Sequence, residues 1–205
     1  MSKKALAILI VATAIIIDQV IKIYIKTNFF LGREVVIFDW FRIHFTENNG
    51  MAMGIEFGGK AGKLFLTLFR ILAIGGLIYW LRNTIKRAAP KSVIIAIALI
   101  LSGAIGNIID SVFYGVIFNS PENGVAILFP KETNGELFHG KVVDMFYFPI
   151  FETTWPDWMP FIGGEYFKFF QYIFNPADAF ITVGVVLLFI FSKQAFPKEE
   201  KKVEA

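Results

Sequence analysis

The chain has no cysteine and only two histidines among its 205 residues. That excludes disulfide frameworks, thiolate metal sites, zinc fingers and cysteine nucleophiles. No histidine stands near a serine with carboxylate support, and neither Gly-x-Ser-x-Gly nor His-Glu-x-x-His occurs, so the chemistry on offer is carboxylate chemistry. Charge is scarce as well: 18% of residues are charged, against about 25% in soluble domains. A net charge of +3 is too small to argue for nucleic acid. No repeat of solenoid length is evident. What is present is apolar side chain, 56% of the sequence with 24 phenylalanines, which also excludes disorder. The composition is that of an integral membrane protein with a single domain over residues 1–205.

A helix that crosses a bilayer needs about 20 mostly apolar residues. Four segments meet or approach this: residues 5–25, interrupted by Asp18 and Lys22; 64–81, with Arg70; 93–112, with Asn107 and Asp110 near its end; and 176–192, with Asp178 near its start. The first has the basic start of a secretory signal, and Ala12-Thr13-Ala14 mimics a cleavage site. Ile15-Ile16-Ile17 carries the apolar run past that point, which favours an uncleaved helix. Lys3 and Lys4, then Arg82, Lys86, Arg87 and Lys91, then Lys193, Lys198, Lys201 and Lys202 crowd three short segments. The long loops 26–63 and 113–175 are sparser in cations. The positive-inside rule therefore places both termini in the cytoplasm and the long loops outside.

Within the first loop, Phe41, Ile43 and Phe45 alternate with Arg42, His44 and Thr46, the period of a half-buried strand, and Val35-Val36-Ile37 supplies a partner for a hairpin. Strand backbone cannot face lipid, so this sheet belongs at or above the outer surface. The expected fold is an α-helical membrane protein of four transmembrane helices, with a small extracytoplasmic β-sheet and a long aromatic-rich outer loop. The tail 197–205 is charged and frayed.

Ionisable groups inside apolar helices are expensive and by default functional. Asp18 and Lys22, spaced i, i+4, share a helix face and can pair, or merely end the first helix. Asn48 lies before Gly50, where Asn-Asn-Gly is also a plain turn signal. Gly103, Asn107 and Asp110 line one face of the third helix, as a site or as interhelical hydrogen bonding. Asp144 interrupts an apolar run. Asn175 and Pro176 suit the cap and first residue of the fourth helix, leaving Asp178 in a first turn whose dipole favours its anion. Two aspartates near one membrane face can share a proton, one as base toward water and the other as acid toward a carbonyl.

Together these segments resemble the lipoprotein signal peptidases, signal peptidase II, of bacteria. Asp18-Gln19-Val20-Ile21-Lys22 is similar to the family's Asp-x-x-x-Lys. Asn48-Asn49-Gly50-Met51-Ala52-Met53 resembles Asn-x-Gly-x-Ala-Phe, with Met53 in place of the aromatic. Gly103 to Asp110 resembles Gly-x-x-Gly-Asn-x-x-Asp, Val142-Val143-Asp144-Met145 resembles Val-Val-Asp-Phe, and Phe174 to Asp178 resembles Phe-Asn-x-Ala-Asp. The resemblance covers most of the chain in the family's order. It implies an aspartic endopeptidase of the bacterial inner membrane that removes signal peptides from diacylglyceryl-modified prolipoproteins, cutting before the lipidated cysteine. It further implies Asp144 and Asp178 as the catalytic pair, with Asn48, Gly103, Asn107, Asn175 and Ala177 lining the substrate pocket and Asp18, Lys22 and Asp110 in support. Its expected partners are prolipoproteins and membrane lipids, not nucleic acid; it needs no metal or cofactor and acts as a monomer.

The sequence departs from the pattern in two ways. Ser111 stands where the family has Arg, so Asp110 must find another partner or stay neutral. Residues 118–138 and 149–172 look like insertions, and the second is rich in Trp, Tyr and Phe, which settle where an apolar ring meets a wet edge. That segment is expected on the outer leaflet, as a lid or as a loop packed on the sheet. The rival from another class is a small proton-coupled transporter using the same carboxylates, although transporters favour internal repeats and midplane sites.

Overall fold

The structure, a computed structural model, describes residues 1–50, 58–119, 124–133 and 135–196. Met51, Ala52 and Met53 of the Asn-Gly motif, Asn123 and the tail 197–205 lie outside the described residues. The order of elements is α1 (Lys3–Asn28), β1 (Glu34–Phe38), β2 (Phe41–Asn48), α2 (Gly59–Lys86), α3 (Lys91–Ile117), β3 (Val142–Tyr147), β4 (Phe151–Thr154), β5 (Tyr166–Phe169), β6 (Ile173–Phe174), α4 (Pro176–Ile190) and the short α5 (Ser192–Ala195).

Helices α1, α2 and α3 are each long and apolar enough to cross a membrane, and α4 is a shorter apolar helix of 15 residues. The three long helices run a few residues past the apolar segments. Their added residues include Lys3, Lys26, Lys60, Lys86 and Lys91, whose stems can lie on apolar surface while the ammonium reaches water or a partner. Helix α2 stops where Ala88 takes a positive φ of 56° and Pro90 follows, since a residue before proline avoids the helical region. On α2, Phe65, Leu72 and Tyr79 recur every seven residues and are 72%, 75% and 74% exposed. An outward apolar stripe of that kind suits lipid rather than water.

The chain divides into two compact units: Met1–Gln19, Leu68–Ile108 and Pro176–Ala205 in one, Val20–Thr67 and Ile109–Asn175 in the other. In the first, Ala7, Leu81, Val93, Ile94, Ile97 and Leu101 form the core. Gly184 on α4 packs so closely on α3 that an added Cβ would lie 2.6 Å from the carbonyl oxygen of Ala96.

The second unit is organised by a four-stranded antiparallel sheet in the order β1-β2-β3-β6. The expected hairpin is there, with Val35 opposite Ile43 and Val36 opposite Arg42. Strand β3 is covered on both faces, which its near-continuous apolar sequence requires, and Val143 and Met145 join Ile25, Phe45, Tyr114 and Phe118 in the core. Between Ile43 and Thr46 the β2–β3 register shifts by one residue, a bulge.

Residues 149–172 contain a second, two-stranded sheet of β4 and β5, paired Phe151 to Phe169 and Glu152 to Lys168. Alternation divides this hairpin into an apolar face with Phe151, Phe167 and Phe169 and a polar face with Glu152, Tyr166 and Lys168. On the polar face the Tyr166 hydroxyl and then Lys168 hold the Glu152 carboxyl below the ordinary glutamate range. Lys168 is held above the ordinary lysine range, first by Tyr147, whose ring centre lies 4.8 Å from its Nζ, and then by Glu152. The pair therefore supports the hairpin from mildly acidic to strongly basic pH. The support fades as pH falls through the depressed Glu152 value or rises through the elevated Lys168 value.

Candidate active site

In the sheet unit, Asp144 sits at the centre of β3, 5% exposed and opposite Thr46 of β2. Both of its oxygens accept amide hydrogens: Asn48 Nδ2 donates to Oδ2, and Asn175 Nδ2 donates to Oδ1 at 2.7 Å. Asn48 ends β2, and its own Oδ1 accepts the backbone N–H of Gly50 at 2.5 Å, which fixes the amide plane and leaves the NH₂ for Asp144. Two amide donors, one per oxygen, favour a buried carboxylate in its charged form.

Directly beside Asp144, the backbone N–H of Val143 reaches Asp110 Oδ2 at 3.3 Å. Asp110, on α3, also pairs with Lys22 Nζ of α1 at 2.8 Å, and both side chains are fully buried. Ser111 stands where the Arg would be, and Lys22 supplies the positive charge that Asp110 needs.

In the helical unit, Asp178 lies in the first turn of α4, where free backbone N–H groups and the helix dipole favour an anion. Asn107 of α3 donates from Nδ2 to Asp178 Oδ1 at 2.8 Å. Arg70, the half-buried cation of α2, lies within electrostatic reach of Asp178. Asp18 of α1 accepts the N–H of Ala177 at 3.0 Å, so a carboxylate from another helix takes up one of the amides that α4 cannot satisfy internally. Gln19 closes this group, donating to Asp18 at 3.1 Å and to the carbonyl of Gly106 at 3.2 Å.

The glycines of α3 permit this packing. A Cβ at Gly103 would overlap the carbonyl oxygen of Ala177, and one at Gly106 would come within 2.5 Å of Asp18 Oδ2. Any larger residue pushes α4 off α3 and breaks the Asp18 contact.

The predicted residues thus fall into two groups. Asn48, Asp110, Lys22, Asp144 and Asn175 gather in the sheet unit. Gly103, Asn107, Asp18, Ala177 and Asp178 gather in the helical unit. The stripe Gly103, Asn107, Asp110 is accordingly divided, its first two members serving α4 and the third serving β3. Sequence reasoning missed Glu47, Asn49, Lys26 and Lys63. Lys26 forms a buried ion pair with Glu47, and Lys63 Nζ donates to Asn49 Oδ1 at 3.2 Å. The signal was available for Lys26, which continues the i, i+4 spacing of Asp18 and Lys22 along α1.

Helices long and apolar enough to cross a membrane, with buried carboxylates held by asparagine amides, fit a membrane enzyme of the carboxylate type. The comparisons name the family. A model of signal peptidase (SPase) II matches residues 10–194. The lipoprotein signal peptidase of Porphyromonas gingivalis is 51% identical over 189 residues, covering 91% of this chain and 82% of that protein. That of Amoebophilus asiaticus is 35% identical over 196 residues, covering 94% of this chain and 79% of that protein. A bacterial membrane enzyme solved by the in meso method at 1.9 Å superposes with a TM-score of 0.59 at 26% identity, covering 95% of this chain and 94% of that one. The chain belongs to the signal peptidase II family and is a peptidase; nothing in its fold or its relatives favours a transporter.

Proposed function

We propose that the chain is an intramembrane aspartic endopeptidase that removes signal peptides from diacylglyceryl-modified prolipoproteins, with Asp144 and Asp178 as its reacting carboxylates. The observation that carries this reading is the donor set on Asp144, where two asparagine amides hold a buried carboxylate on a strand interior. Asn175, which holds that carboxylate, precedes Asp178 by three residues, so the Cα atoms of Asn175 and Asp178 are at most about 11 Å apart. For two carboxyls to act together on one peptide bond, one must enter the reaction with a proton and the other without. One carboxylate takes a proton from water while the other gives one to the scissile carbonyl, and the two exchange roles when the tetrahedral intermediate breaks down. Purified protein, given a diacylated prolipoprotein in lipid, is expected to release the signal peptide and to spare the same precursor with an unmodified cysteine. Failure to release it defeats the proposal.

The remaining features are read with this activity. Helix α4 rises only about 22 Å at 1.5 Å per residue, and it serves as a fourth crossing together with the residues around it. The protein is a monomeric domain of the bacterial inner membrane with both termini in the cytoplasm and the acting residues near the outer face. Because the chain has no cysteine, single cysteines report topology without background. Asn83→Cys and Ser2→Cys are expected to stay shielded from an impermeant thiol reagent in intact cells, whereas Asn123→Cys reacts. Labelling at position 83 from outside reverses the orientation.

The β4–β5 hairpin acts as a lid on the outer leaflet. Its turn carries Trp158 at 79% and Phe161 at 100% exposure, and Phe161 holds a positive φ of 71°. A phenylalanine in that backbone region is strained by about 1–3 kcal/mol, and it gains no packing in return from within the protein. Its ring suits the acyl chains of the substrate. Replacing residues 156–163 by a two-residue turn is expected to raise KM several-fold and leave the fold intact. Unchanged cleavage at low as well as saturating substrate dismisses the lid.

A further inference from the structure

Among the described residues of the sheet unit, Lys22, Lys26 and Lys63 are buried, at 0%, 4% and 9% exposure. Lys22 belongs to Asp110. The other two converge on the end of β2, one on each side of Asn48 in the chain. Lys26, in the last turn of α1, forms an ion pair with Glu47, both side chains at most 6% exposed, and its ammonium also sits 5.3 Å from the centre of the Phe118 ring. Lys63, in the second turn of α2, donates to Asn49 Oδ1 at 3.2 Å. A buried ammonium is costly unless it is closely partnered, and these two are partnered by the immediate neighbours of the residue that holds Asp144.

Strand geometry explains what such a pair accomplishes. Successive side chains on β2 point to opposite faces, so Glu47 is gripped from the face away from Asp144 while Asn48 points toward it. Strand β2 ends at Asn48, so nothing in the ladder fixes the backbone beyond it. The grip on Asn49 holds the chain just past the end of that ladder. We propose that Lys26 and Lys63 are positioning residues, acting through Glu47 and Asn49 to hold the Asn48 amide on the Asp144 carboxylate. This rests on the reading of Asp144 as a reacting group.

The test is steady-state cleavage of a diacylated prolipoprotein by full-length enzyme in lipid, with thermal unfolding of each variant alongside. Lys63→Met, and the double variant Lys26→Met with Glu47→Gln, which removes both charges and so strands neither, are expected to lower kcat about 10- to 100-fold, since small misplacements of an acting group cost that much. KM is expected to change less than twofold. Lys26→Arg and Lys63→Arg restore part of kcat, because a guanidinium can make the same contacts. A role in stability alone predicts lower unfolding temperatures with normal kcat per folded molecule, and that outcome overturns the proposal. A crystal structure of the double variant separates the two layers of inference. If the Asn48 amide is still on Asp144, the positioning role is wrong. If it has left Asp144 and turnover is normal, the reading of Asp144 as a reacting group is wrong.

Discussion

Asp144→Asn and Asp178→Asn are each expected to lower cleavage by about 10²- to 10⁴-fold, the usual contribution of one positioned acid or base. The double variant is no worse than either single one, because two groups that act as a unit are lost together. Asparagine keeps the size of the side chain and removes only the titratable proton. At Asp144 the change does more than that, because the new amide presents its own NH₂ to the NH₂ of Asn48 or Asn175, and one of those bonds is lost. At Asp178 the new side chain can still accept from Asn107 through its oxygen. The two variants should therefore be equally inactive but unequally stable, with Asp144→Asn the less stable. Near-normal turnover by either, measured per folded molecule, removes that residue from the reaction.

The second large effect is on stability. Asp110→Asn takes away the carboxylate that pairs with the fully buried Lys22 ammonium at 2.8 Å, and breaking a buried pair from one side costs about 3–5 kcal/mol. Set against a typical total of about 5–15 kcal/mol, that is enough to lower expression or thermal stability sharply. Some cleavage remains, because an asparagine oxygen can still accept the Val143 N–H that borders Asp144. Pairing the change with Lys22→Met removes the stranded charge and recovers much of the loss. Complete inactivity of a well-folded Asp110→Asn enzyme would place Asp110 in the chemistry itself.

Much of this was legible in the sequence, for identifiable reasons. The alternation from Phe41 to Thr46 marks a strand because one face is packed and the other is not, and β2 runs through it. Pro176 opens α4 as its fixed φ favours, with Asp178 in the first turn. Asn175 is a different case. It stands where a cap belongs, yet its NH₂ is turned to Asp144, a partner 31 residues away that no local pattern could supply. The hairpin in residues 149–172 was hidden because aromatic residues occupy both of its faces, Phe151 and Phe169 on one and Tyr166 on the other, so no period-2 contrast stands out. Lys63 carries no local signal of its burial, since burial of a charge depends on what arrives from elsewhere in the fold.

The bulge in β2 has a consequence at some distance from itself. Ahead of it the β2–β3 partners are Arg42 with Tyr147 and Ile43 with Phe146; after it they are Thr46 with Asp144, Glu47 with Val143 and Asn48 with Val142. One surplus residue therefore sets the phase of everything downstream. Loss of residue 44 or 45 would straighten the strand and leave Thr46 opposite Asp144, whereas loss of Thr46 with the bulge kept would invert the alternation beyond it. Glu47 would then turn toward Asp144, carboxylate against carboxylate, while Asn48 faced Lys26. Point substitutions there cost packing, but a change of length reverses the polarity of the site. Natural variation in length from Thr46 to Asn48 should be absent among working enzymes, while the turn at Asp39 and Trp40, which lies ahead of the bulge, is free to grow or shrink.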